Sequence, residues 1–93
     1  MKLSLYVLKD VVIGEHMSPV VYHNDEEAIR AVRIGVNEPK YNDPNIGDKQ
    51  LWRIGDYDSI TGEISPRLDF LANLIDLKKA GVTDGKESER QEK

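Results

Sequence analysis

Cysteine is absent from the chain, which excludes disulfides and thiolate metal sites and fits a reducing compartment. Long apolar runs are absent too. Nothing approaches the ~20 residues that cross a bilayer, and residues 1–8 lack the longer apolar stretch and cleavage site of a secretory leader. A basic excess is also missing: 13 Lys and Arg stand against 17 Asp and Glu, for a net charge of −4. Non-specific nucleic-acid binding runs on phosphate neutralisation, so this balance argues against it in bulk while leaving room for a local basic patch. No phosphate-cradling glycine loop, nucleophile elbow or candidate triad is present. The two histidines, His16 and His23, have neither HxH nor HExxH spacing and read as ordinary polar positions. Carboxylates are plentiful, but none sits in a catalytic frame. The expectation is a protein with no catalytic residues, no metal, no cofactor, no small-molecule substrate and no membrane span.

What is present fits one small domain. The 93 residues divide into an α+β domain over 1–81 and a polar tail over 82–93. The tail is charged and without periodicity, so disorder is expected there. At this size only about 60–65% of the chain's surface can be buried, and the core is small.

The strongest local signal is Asn24 to Asn37. Asn24 is a good N-cap, and Glu27 can reach back to its amide as in a capping box. Asp25, Glu26 and Glu27 place negative charge at the positive end of the helix dipole. Ala28, Ile29, Val32 and Val36 share one face, extended by Ala31 and Gly35. Glu26, Arg30, Arg33 and Asn37 fall opposite, with Glu26 and Arg30 a favourable i,i+4 pair. Asn37 and Pro39 stop the helix.

Strand patterns flank it. Lys2 to Lys9 alternates, with Leu3, Leu5 and Val7 on an apolar side and Ser4, Tyr6 and Leu8 on a mixed one. Ser18 to His23 is a second strand, with Pro19 at its start or on an exposed edge. Glu38 to Lys49 is a surface loop. Within it, Asp43 to Asp48 only loosely resembles a calcium loop, and turn chemistry explains it better. Leu51 to Tyr57 is a third strand, and Asp58 to Gly62 a hairpin loop with Gly62 in a left-handed position. Gly55 inside that strand suggests a bulge or a close backbone approach. Glu63 to Ser65 begins the return, ended by Pro66. The whole forms a small, mostly antiparallel sheet in the order β-β-α-β-β-α.

Leu68 to Ala80 reads as a second helix, with Pro66 near its first turn and Gly81 as its C-terminal cap. Asp69, Asn73 and Asp76 make a narrow polar strip, and the rest of the circumference is apolar. A helix of that kind needs burial on more than one side. A homo-oligomer, most simply a dimer, that pairs Phe70, Leu71, Leu74, Ile75 and Leu77 would provide it.

One cluster suggests nucleic acid. Trp52 and Tyr57 could stack single-stranded bases, with Arg30, Arg33 and Arg53 close enough to meet phosphates. The plainer reading puts Trp52 and Ile54 in the core and leaves the arginines as a solvated face.

Several strings resemble a known family, the small nonstructural protein of gokushoviruses, single-stranded DNA phages of the microvirus family. They are Lys2-Leu3, Pro19-Val20-Val21, Ala28-Ile29-Arg30-Ala31, Val36-Asn37-Glu38-Pro39, and the hairpin Leu51 to Ile64, which is similar to that family's Leu-Phe-x-Leu-Gly-x-Phe-Asp-x-x-Thr-Gly. The resemblance covers residues 2 to 66. It implies a protein outside the virion, made in the cytoplasm of the infected bacterial host. Such a protein would regulate replication as synthesis turns to single-stranded genomes, through protein contacts with the replication complex and through single-stranded DNA. The rival reading is a homo-oligomeric adaptor or scaffold-like module without nucleic-acid contact.

Overall fold

The computed structural model describes residues 2–82, and Asn24 is a fixed point in it. Its backbone is extended, and its side-chain oxygen accepts from the Glu27 amide at 2.8 Å to start helix α1, Asp25–Val36. The returning half of the box lands one residue earlier than expected: Glu27 accepts from the His23 amide at 2.7 Å rather than from Asn24. That bond, with the His23 ring beside it, holds the Glu27 carboxyl below the usual range. Ala28 and Val36 are buried, and Ile29 and Val32 pack against the same core. Asn37, expected on the solvent face, instead ties two helices together. Its amide donates to the Arg33 carbonyl at 2.7 Å and to the Leu77 carbonyl at 3.2 Å.

The strands are β1 (Lys2–Asp10), β2 (Glu15–His16), β3 (Val20–Tyr22), β4 (Lys49–Asp58) and β5 (Ile64–Asn73). They form one antiparallel sheet in the order β2-β1-β4-β5, with β3 also paired to β1. Helix α2, Leu74–Val82, follows β5 directly. The fold is α+β, in the expected order with the two-residue β2 added. The long loop closes in a 3₁₀ turn, Ile46–Asp48, whose Ile46 is buried in the core. Asp43 organises that loop, accepting from the Asn45 amide at 2.9 Å and from Lys49 Nζ at 2.5 Å. Gly62 takes φ +81° at the hairpin exit. A Cβ on Gly55 would lie 3.0 Å from the Ser65 carbonyl oxygen, so this is a close backbone approach, with a register shift beside it. No helix among the described residues is long and apolar enough to cross a membrane. Residues 83–93 of the expected tail lie outside the described residues.

The second helix is corrected. Residues 68–73 are strand, and Pro66, placed at the start of a helix by the sequence reading, pairs with Gly55 inside β5. The long β4 needs a partner of its own length, and ladder hydrogen bonds along ten residues outweigh local helix propensity. The register shift at Leu51/Trp52 breaks the two-residue period after Phe70, so the alternation that would have marked the strand stops short of Ala72. The five proposed interface residues therefore share no helix face. Leu74 and Leu77 are buried core, Leu71 and Ile75 pack against it, and Phe70 lies on β5.

Both helices cover one face of the sheet. Tyr6, Leu51, Ala28, Val36, Ile46, Leu74 and Leu77 form one cluster, with Leu8 and Tyr22 at its margin. The helices thus sit on the mixed side of β1, that of Ser4, Tyr6 and Leu8. The apolar side of β1 faces away from them.

Candidate functional site

Strand register defines what that open face carries. Antiparallel partners point the same way, so Leu3 groups with Tyr57 and Ile64, Leu5 with Val21 and Pro66, and Val7 with Trp52 and Phe70. Leu68 joins them by alternation. The side-chain contacts agree. Trp52 and Phe70 meet edge to face with centroids 5.8 Å apart, and Lys9 Nζ lies 5.2 Å from the centre of the Trp52 ring. Trp52 Nε1 donates to Gln50 at 2.9 Å, and Gln50 donates to Asn73 at 3.2 Å. Val7 is buried but stands outside the main core cluster, beneath this surface.

Much of the face is open to solvent: Leu68 is 71% exposed, Ile64 61% and Phe70 47%. Its register-paired strand residues include no carboxylate, although the chain has 17 Asp and Glu. The basic strand residues of the face are Lys9 and His16. Three aromatic rings from two neighbouring strands, an apolar surround and one ammonium make a surface that accepts flat or apolar groups and does not repel anions.

Asp56 and Asp69 of the sheet lie on the opposite side, held by arginines, of which Arg53 also reaches Asp25 of α1. Asp25 Oδ1 accepts from the Tyr6 hydroxyl at 2.7 Å and from Arg53 at 3.2 Å. Arg53 also bonds Asp56, which accepts from Arg67 at 3.2 Å, and Arg67 donates to Asp69 at 2.6 Å. The Arg53 bond holds the Asp56 carboxyl below the usual carboxylate range, and Asp56 in turn raises Arg53. Burial, together with the bond to Asp25, pushes the Tyr6 hydroxyl up to about 12. This chain of charges braces α1 against β4 and β5. Among the described residues no group of three or more His, Asp or Glu is arranged to hold a metal ion.

The residues singled out in the sequence are therefore divided. Trp52 and Tyr57 share the open face, and Trp52 is not in the main core. Arg53 points the other way, with its guanidinium engaged by Asp25 and Asp56. Arg30 and Arg33 lie on α1 beside Glu26 and Glu27, on the helix side of the sheet. The sequence reading missed Lys9, Leu68 and Phe70 as members of the open face. Its one available signal was the alternation Ile64, Pro66, Leu68, Phe70.

Residues 3–77 match a family model described as Phage ORF5 protein. No curated protein and no solved structure matches the chain.

Proposed function

Because this chain belongs to the Phage ORF5 protein family, we propose that it is a non-enzymatic phage protein that regulates synthesis of a single-stranded DNA genome. In this reading it is a gokushovirus-type nonstructural protein of the infected host's cytoplasm, acting beside the replication complex. Its open sheet face receives unpaired bases. The carrying observation is the combination of Trp52, Tyr57 and Phe70 on a face whose paired strand residues bring no carboxylate. Exposed rings on a sheet stack bases of any identity, each worth about 1–3 kcal/mol, while a duplex hides its bases from such a surface. Lys9 supplies one phosphate contact at the edge of the platform. With so few cations, binding rests on stacking more than on charge.

Trp52 is the single tryptophan, so its fluorescence reports the site directly. Titration with a single-stranded oligonucleotide at low salt should quench it, and Phe70→Ser should weaken the effect several-fold. A duplex of the same sequence should leave it unchanged. Absence of quenching and of anisotropy change at about 50 μM protein, where even a weak complex of about −6 kcal/mol would register, would remove the nucleic-acid reading.

A second reading, a homo-oligomeric adaptor without nucleic-acid contact, draws on the exposed aliphatic part of the same face, Ile64, Leu68 and Val21.

A further inference from the structure

We propose that a second copy of this chain covers the open sheet face, in a two-fold dimer that stacks sheet on sheet. This replaces a helix-paired dimer, whose residues are largely committed to the core. The argument begins with area. Strands β4 and β5 run ten residues each. At roughly 3.3 Å per residue and about 4.8 Å between strands, these two with the shorter β1, β2 and β3 give a flat area of about 500 Å². Side-chain relief brings that to about 600 Å² or more per partner, the lower end of standard stable interfaces. Exposed apolar side chains gathered on one face, here Val21, Ile64, Leu68 and Phe70, mark an interaction surface.

Residues 83–93 contain no apolar side chain, and the described part ends in α2, on the far side of the sheet. Charge also permits self-pairing. Lys9 and His16 lie at one end of the face, and the Leu3–Tyr57–Ile64 end is uncharged. A two-fold axis running across the strands sets each Lys9 over the uncharged end of its partner, so like charges do not meet. Packed sheets of this kind lie about 10 Å apart, with strands within about 30° of aligned.

The dimer and the base-binding reading concern one face and are tested separately. Sedimentation equilibrium without nucleic acid tests the dimer alone, at concentrations up to about 200 μM, where a Kd tighter than roughly 10⁻⁴ M is visible. The wild type should approach twice the 10.6 kDa chain mass. Ile64→Glu with Leu68→Glu should return it to monomer with its melting curve kept, because both side chains are mostly exposed. Ile34→Glu changes an equally exposed apolar residue on α1 and should leave the dimer intact. Should the double variant fail to fold, Leu68→Lys alone makes the same test. A wild-type monomer throughout, or a dimer that survives the face variants and breaks with Ile34→Glu, would overturn the proposal.

Discussion

The Tyr6 hydroxyl, nineteen residues before Asp25 in the chain, donates to its carboxylate at 2.7 Å and so fastens β1 to the first turn of α1. Tyr6 is completely buried, and its proton is held to about pH 12. An unfolded tyrosine releases its proton near pH 10. Because the folded value is the higher one, the stabilisation from Tyr6 is complete below about pH 10 and is lost as pH rises towards 12. Tyr6→Phe should cost about 0.5–1.5 kcal/mol at neutral pH and flatten the alkaline fall in urea midpoints. Tyr41, also raised by burial, will keep part of that fall. An alkaline limb unchanged in the variant would place its origin elsewhere.

Arg53 governs the acid side. Its bond is the largest influence holding the Asp56 carboxyl down, and Lys49 does the same for Asp43. Folded values below the unfolded ones give stability that is present above about pH 4 and lost as pH falls through the folded pKa. Arg53→Met should destabilise by about 1–3 kcal/mol at pH 7. The difference from wild type should shrink steadily below about pH 4, as Asp56 takes up its proton. A constant difference across that range would mean that Arg53 acts by packing its stem.

Three glycines should answer the same substitution with different signs. Gly35 lies in α1 with nothing within 4 Å of a new Cβ, so Gly35→Ala should gain about 0.5–1 kcal/mol from helix propensity. Gly55→Ala presses a methyl against the Ser65 carbonyl and should lose about 1–3 kcal/mol. Gly62→Ala must hold φ +81° and should lose about 1–2 kcal/mol. Chemical denaturation of the three variants checks the ranking.

These glycines also mark what was legible in the sequence. Gly55 and Gly62 were readable because a glycine inside a strand pattern and one at a hairpin exit each have a narrow physical use. Asn24 and the acidic residues after it announced α1 through groups close in sequence. The boundary between β5 and α2 was not readable, because Leu68 to Leu77 satisfies a helical period and the choice lies with β4, a distant partner. The covered side of the sheet was equally hidden. Leu3, Leu5 and Val7 make the more apolar side of β1, yet the helices choose Tyr6, whose hydroxyl finds Asp25. That pairing emerges only once α1 has been placed. The division of the candidate site follows from it: Arg53 alternates away from Trp52, which a strand pattern shows, but its capture by Asp25 depends on the helix.

Self-association and base binding exclude one another if both use this face, and that exclusion has a measurable form. At protein concentrations well below the dimer Kd, binding to a labelled single strand should follow a simple isotherm. Above it, apparent affinity should fall, because each base-competent monomer must first leave its partner. Adding unlabelled single strand should in turn shift sedimentation towards monomer. Ile64→Glu with Leu68→Glu makes a monomer but adds carboxylates to the platform, so Leu68→Lys is the better variant here. It should free the face while attracting phosphate, and it should bind at least as tightly as the wild type. Arg30→Glu with Arg33→Glu should leave binding essentially unaltered, since both residues lie on the helix side of the sheet. With about one or two phosphates neutralised near Lys9, the salt slope on single strands should be near −1 in log–log form. A slope near −3, with binding abolished by reversal of the two helix arginines, would move the nucleic-acid contact to α1. It would leave the open sheet face to the partner copy alone.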